Sequence, residues 1–371
     1  MAQAEQRILV LQGGGALGAY QAGAAAYLSQ QDWQPDWVAG ISIGAINAAL
    51  ICGNPPETRH DKLFEFWTKV TSGLPAAPWL AGPQARQMYG DVAAASVMAT
   101  GAPGFFKPKP LSAWSPFSTE PCLSVYDTSP LRKTLETLVD FDYLNDCGPR
   151  LSVGAVDIET ANFAYFDSQS MRIGPEHIMA SGALPPGFGP VTIDGHSYWD
   201  GGLVSNTPLQ FVMDNLGRDP VCIFQVDVFS ARGAMPKTLG DVAQREKDIR
   251  YSSRTRLTTD RYRQLHDIRA AVQRLATKLP KALQDDPDLA FLRATGPACP
   301  ITLVHLIHRK ESYESQAKDY EFSRLSMNAH WKAGAADTHH TLNHDHWKHR
   351  KIGADGLQVF DLTAQPEGQT E

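Results

Sequence analysis

Arg7-Ile-Leu-Val-Leu-Gln12 runs straight into Gly13-Gly14-Gly15, and an Ala-rich stretch over residues 16–28 follows. The first run is apolar and of strand length, the glycines make a tight loop, and only Gly18 and Gly23 interrupt the helix-forming stretch. The pattern predicts strand, glycine loop, helix. It then repeats: Trp37-Val-Ala39 reads as a second short strand, residues 40–44 as a tight turn, and residues 45–52 as a second helix. Two strand–turn–helix units within about 50 residues predict an α/β fold with parallel strands.

Residues 151–158 and 162–167 alternate like paired strands, 191–199 resembles a strand with a turn at Asp194-Gly195, and 220–228 is a strongly apolar strand. Between Gly73 and Pro121 the character differs. Eight prolines and the aromatics Trp79, Phe105, Phe106, Trp114 and Phe117 predict an irregular insertion around one short helix near 92–98. It is either a surface excursion or a cap over an apolar pocket. The organisation expected is a catalytic domain over residues 1–235, including that 73–121 insertion, and a helix-rich C-terminal extension over 236–371 packed on it.

Hydrophobic residues at 43% and charged residues at 20% exclude wholesale disorder in a chain of 371 residues. A net charge of −6 excludes a strongly basic nucleic-acid binder as a whole, and no nucleic-acid partner is expected. The five cysteines, Cys52, Cys122, Cys147, Cys222 and Cys299, are odd in number and widely spaced, which argues against a disulfide framework and a Cys-based zinc site. Reduced thiols and no visible targeting segment lead to the expectation of a cytoplasmic protein.

Gly40-Ile-Ser42-Ile-Gly44 fits Gly-x-Ser-x-Gly, the nucleophile elbow. A sharp strand-to-helix turn lifts the Ser42 hydroxyl clear of the backbone, and Gly40 and Gly44 avoid a clash. The helix that follows aims its free N–H groups, Ile43 first, at any oxyanion formed there. Gly13-Gly14-Gly15-Ala16-Leu17-Gly18 lacks the Lys-Ser/Thr of a phosphate loop. Gly13, Gly15 and Gly18 formally meet a dinucleotide fingerprint with Asp36 downstream. The other reading is an oxyanion hole built from backbone N–H groups of Gly13, Gly14 and Gly15, and the nearness of Ser42 favours it. Asp200, followed by Gly201 and Gly202, is a carboxylate on an unobstructed turn after a predicted strand.

Taken in order, Gly-Gly-Gly-x-x-Gly, Gly-x-Ser-x-Gly and Asp-Gly-Gly resemble the patatin-like lipid acyl hydrolases, also called patatin-like phospholipases. Ala180-Ser-Gly-Ala-Leu-Pro-Pro-Gly-Phe188 and Asn206-Thr-Pro208 look like that family too, and the resemblance covers residues 6–230. It implies a three-layer α/β/α fold with a mainly parallel sheet. It also implies a Ser–Asp dyad, with Ser42 as nucleophile and Asp200 as base, and no metal or cofactor. The implied reaction is hydrolysis of lipid carboxylic esters through an acyl-enzyme. Acyl transfer, polyester depolymerisation and a non-catalytic partner-binding role are the alternatives. Leu17 stands where many relatives carry Arg or Lys, and residues after 236 resemble an extension found in a bacterial subgroup.

Six of the twelve histidines fall between 330 and 349: His330, His339, His340, His344, His346 and His349. His340 and His344 have helical ligand spacing, but Lys348, Arg350 and Lys351 make the segment basic and no His-Glu-x-x-His frame exists, so a solvated terminal segment is expected. A triad through His266, His305 or His308 has no local context to mark it. Between Lys237 and Lys281, twelve Lys/Arg face five Asp/Glu, and Leu265, Ile268, Val272, Leu275 and Leu279 recur at helical spacing. That predicts a helix packed by its apolar stripe. Its cationic face offers peripheral contact with an anionic membrane.

Overall fold

Along Gln6–Leu11, strand β1, Ile8 and Val10 enter one apolar cluster while Leu9 and Leu11 enter another. Side chains alternate with a period of two, so a strand apolar at every position must be covered on both faces. The computed structural model describes residues 5–74, 82–114, 121–253, 255–294, 299–309, 314–351 and 356–363. Of the insertion, Pro75, Pro78, Trp79, Pro116 and Phe117, and the side chain of Trp114, lie outside the described residues.

The further strands are β2 (Trp37–Ile41), β3 (Lys107–Pro108), β4 (Tyr126–Asp127), β5 (Arg150–Asp157), β6 (Phe163–Asp167), β7 (Val191–Ile193), β8 (His196–Asp200), β9 (Val221–Asp227), β10 (Ile301–Ile307) and β11 (Leu357–Asp361). The helices are α1 (Gly18–Gln30), α2 (Ile43–Cys52), α3 (Pro56–Val70), α4 (Pro83–Thr100), α5 (Ser129–Leu138), α6 (Phe141–Asp146), α7 (Pro175–Ser181), α8 (Leu209–Asp214), α9 (Leu239–Tyr251), α10 (Thr255–Ala276), α11 (Pro287–Ala294), α12 (Arg324–Asn343) and α13 (Asp345–Lys348).

The central sheet runs β11-β10-β9-β1-β2-β5-β8-β7, with β6 also paired to β5. From β11 to β5 every pairing is parallel, whereas β6 and β8 lie antiparallel to β5 and β7 antiparallel to β8. Helices α1, α2, α3 and α12 cover one face around Leu11, Tyr20 and Trp67, and α8 and α10 cover the other around Val10, Leu209 and Tyr262. This is a three-layer α/β/α arrangement with a mainly parallel sheet, followed by a largely helical C-terminal part. That C-terminal part also contributes β10 and β11 to the same sheet, and α12 lies along α1.

Two expectations about elements change. The short helix near 92–98 is the longer α4, with Pro83 in its first turn and Gly101 at φ 85° ending it. Proline at a helix start is pre-set for it rather than disruptive. In α10, Ile268 and Leu275 of the expected stripe are 41% and 56% exposed, and the buried positions among its described side chains are Thr259, Tyr262 and Ala276. Tyr262 anchors the helix by reaching the Asp214 carboxylate of α8, which rotates the packed face away from the Leu/Ile stripe.

Candidate active site

Ser42 stands alone between β2 and α2 with φ 55° and ψ −121°. That left-handed backbone is costly for a residue with a side chain and is held here by its surroundings. A Cβ on Gly40 would lie 2.3 Å from the Gly44 carbonyl oxygen, and one on Gly44 would lie 2.4 Å from that of Leu11. Only glycine at both positions lets the turn close. The Ser42 N–H donates to Ser181 Oγ at 3.0 Å, and the Ser181 hydroxyl donates to the Gly154 carbonyl at 2.7 Å. The Ser42 carbonyl receives the N–H groups of Ala45 and Ile46, which starts α2. Ile43 opens that helix, so its N–H has no acceptor within it.

Sheet register explains how Asp200 reaches Ser42 from far along the chain. Ile41 pairs with Gly154, and the next residue of β5, Ala155, pairs with Asp200. The Asp200 carboxylate accepts a hydrogen bond from the Gly202 N–H at 2.7 Å, and the Ser42 side chain interacts with it from the cavity side. Asp200 is 2% exposed. Burial pushes its pKa up to about 6, while the interactions with Ser42 and Gly202 act in the opposite direction. Gly201 packs under the Gly154 carbonyl, where a Cβ would come within 2.6 Å.

The glycine loop lies against both residues. Gly13 donates its N–H to the Asn206 carbonyl at 3.1 Å, and Asn206 Nδ2 donates back to the Gly13 carbonyl at 3.0 Å and to that of Tyr251 at 2.9 Å. The Gly13 N–H, expected as one of the oxyanion donors, is therefore engaged in anchoring the loop. Gly15, at φ 55°, turns the chain into a short 3-10 segment, Gly15–Leu17. Leu17 is fully buried in the core, and Gly18 lets α1 approach Ile43. Behind the loop, Gln12 Oε1 accepts the N–H groups of Val228 and Phe229 and its Nε2 donates to Thr207.

Ser42, Ile43, Asp200 and Gly13 to Gly15 open on one cavity of about 170 Å³. Its apolar wall is aromatic: Phe105, Phe106, Phe188 and Phe322 meet in tilted and edge-to-face pairs with ring centroids 5.2–6.3 Å apart, Tyr126 joining them. Phe105, Phe106 and Met98 come from the insertion, so its described residues supply part of this wall. Opposite them lie Lys247, Tyr251 and Asp319, with Lys247 Nζ 2.8 Å from Asp319.

Ser181, Lys247, Tyr251, Asp319 and Tyr320 were not singled out as site residues from the sequence. Ser181 sits within a quoted motif, and Asp319 and Tyr320 lie in the extension whose resemblance supplies no role, whereas Lys247 and Tyr251 carry no local signal and arrive by tertiary packing. His266, His305 and His308 are not among the residues lining the cavity. Burial lowers the pKa of His305 to about 4. His330, expected in a solvated segment, is instead 3% exposed, because its face of α12 packs inward; His340 and His346 are exposed.

Residues 9–213 match the model of the patatin-like phospholipase family, and residues 249–352 match a second model described as patatin phospholipase. A curated relative, the cGAMP-activated phospholipase of Escherichia coli, is 32% identical over 116 residues, a match spanning 28% of this chain and 33% of that protein. The chain thus covers about a third of that relative's length. VipD from Legionella pneumophila is a similar solved structure, with TM-score 0.37 and 14% identity over 89% of this chain and 68% of its own. The first family match extends over more than half of the residues and takes in both Ser42 and Asp200, and on that ground the chain belongs to the patatin-like phospholipase family.

Proposed function

We propose that this protein is a serine hydrolase that cleaves carboxylic esters of lipids with Ser42 and Asp200. The observation that carries the reading is a strained serine at a helix head that shares an aromatic cavity with a buried aspartate. Asp200 takes the hydroxyl proton as Ser42 Oγ bonds to the ester carbonyl carbon. The N–H groups of Gly14, Gly15 and Ile43 receive the oxyanion. The carbonyl re-forms, the ester C–O bond breaks, and the proton passes from Asp200 to the departing alcohol. Water then attacks the acyl-Ser42 carbonyl carbon and gives a proton to Asp200; the acyl C–Oγ bond breaks, that proton passes to Ser42 Oγ, and the acid leaves. Charge develops where backbone dipoles already point, so no large reorganisation is needed.

An acyl chain fits the phenyl-lined wall better than a polar substrate does, and the phospholipase named among the relatives acts in the same chemical class. The same reading makes the chain a cytoplasmic protein that visits anionic membranes. Support comes from exposed apolar side chains on segments that also line the mouth, Leu203, Val242 and Ile249 among them, and from exposed Arg261 and Arg263 on α10. Among the described residues no helix is long and apolar enough to cross a membrane. A panel of p-nitrophenyl esters and phospholipids, with wild type beside Ser42→Ala, tests the chemistry. Labelling of Ser42 by a fluorophosphonate is expected; activity in Ser42→Ala within tenfold of wild type would refute it.

A further inference from the structure

His308, Glu314 and His330 converge under α1, away from the ester-binding cavity, at 3%, 6% and 3% exposure. Glu314 Oε1 lies 2.9 Å from His308 Nε2 and 2.8 Å from His330 Nε2, and the three donor atoms fall within 4.8 Å of one another. Each side chain comes from a different place: the end of β10, the segment after it, and α12. We propose that these three residues bind a single zinc ion that pins the wall of the active-site cavity.

Two imidazoles and a carboxylate are a zinc donor set that leaves one coordination position open. Zinc bonds of about 2.1 Å in a tetrahedron separate neighbouring donors by about 3.3 Å. The present contacts have to open by only about 0.5 Å for the ion to enter. As a purely hydrogen-bonded cluster the arrangement is incomplete. Oε1 takes both imidazoles, while the buried Glu314 Oε2 and His330 Nδ1 have no hydrogen-bond partner among the described residues. Glu314 and His330 also border a cavity of about 20 Å³, room for one water as fourth ligand.

Two cations border the same small cavity, Arg86 and Lys318, and each is engaged with another group. Lys318 is paired with Asp248 at 3.0 Å, and Arg86 reaches Ser326 and faces Glu321. That leaves Glu314 as a carboxylate flanked by imidazoles. A role follows from chain order. The short turn Lys318–Tyr320 starts four residues after Glu314, and Asp319, Tyr320 and Phe322 line the active-site cavity. An ion held by Glu314 and by α12 fixes both ends of that stretch. It supplies no step of ester cleavage.

The full-length protein, stripped with EDTA and dialysed, is titrated with Zn²⁺ alone against a chromogenic chelator. One zinc per chain is expected, with a Tm increase of about 5 °C at saturation. Glu314→Gln and His330→Gln should each weaken binding by about 100-fold or more and abolish the Tm increase. The paired change His340→Gln and His344→Gln should leave both unchanged, as should Ser42→Ala, so the result does not depend on the hydrolase reading. Co²⁺ in place of Zn²⁺ should give d–d absorption without a thiolate charge-transfer band. Absence of saturable one-to-one binding overturns the proposal. So does wild-type affinity in both Glu314→Gln and His330→Gln, or loss of the ion in the His340/His344 variant.

Discussion

A carboxylate that accepts a proton from an alcohol near neutral pH works better with a raised pKa, and burial gives Asp200 a value of about 6. As the free base it acts above that value, so kcat/KM for a soluble ester should rise with pH through about 6 and then level off. Ser42→Ala and Asp200→Asn should each lower turnover by about 10³-fold or more, since one removes the nucleophile and the other its proton acceptor. His266→Ala and His305→Ala should retain it. Collapse in the histidine variants with Asp200→Asn still active would reverse the assignment. The same burial has a stability consequence of definite sign. A folded-state pKa above the unfolded value of about 3.9 favours the fold below pH 4, and that contribution disappears as pH rises through about 6. Asp200→Asn removes a buried charge, so at pH 8 it should melt no lower than wild type, with any advantage gone at pH 4. A Tm several degrees below wild type at pH 8 would show that Asp200 is better accommodated as an anion than its burial suggests.

At the scale of elements, the loop after β1 depends on a contact with the C-terminal part. Gly15 has φ 55°, and a Cβ there would meet the Asp319 carbonyl oxygen at 2.2 Å. Gly15→Ala should therefore displace the Lys318–Tyr320 turn, cost about 1–3 kcal/mol and lower the Tm by a few degrees. Turnover should fall more than the Tm shift alone explains, because Gly15 and Asp319 both border the cavity. Wild-type kinetics and melting in Gly15→Ala would mean the turn gives way freely. That contact also marks the limit of what the sequence discloses. The units β1–α1 and β2–α2 were legible because each is written locally: an apolar run, glycines, then a helix-forming stretch. Ser42 was legible for the same reason. Asp319, Tyr320 and Phe322 were not, because nothing near them in sequence announces that β10 and α12 will carry them back to the first glycine loop. Nor could the α10 stripe reveal its own rotation, which Tyr262 sets by reaching Asp214 on another helix.

For the whole molecule the open matter is how a buried site meets an insoluble substrate. The chain carries −6 overall, yet between Lys237 and Lys281 twelve Lys/Arg stand against five Asp/Glu. In that stretch α10 packs through Tyr262 and Ala276 and keeps Arg261, Arg263 and Arg274 exposed. Of the neighbouring cations, Arg254 and the Arg256 side chain lie outside the described residues. Just before them, α9 lines the cavity with Lys247 and Tyr251 while Val242 and Ile249 are 51% and 56% exposed. The cations of α10 and the apolar side chains of α9 contribute to membrane binding in different ways. Each Lys or Arg near an anionic surface adds about 1 kcal/mol, screened over a Debye length of about 8 Å at physiological salt. Apolar insertion is nearly independent of salt. Binding to anionic vesicles should accordingly weaken steeply from low to physiological salt, and neutral vesicles should bind poorly. Replacing Arg261 and Arg263 by Gln should reduce the salt-sensitive part, whereas Val242→Ser with Ile249→Ser should reduce binding at every salt concentration. Both pairs should hydrolyse a soluble ester at the wild-type rate. Vesicle co-sedimentation measures all of this, and a wild-type protein that ignores anionic vesicles even at low salt would leave α10 as a packing helix whose charges serve only solvation.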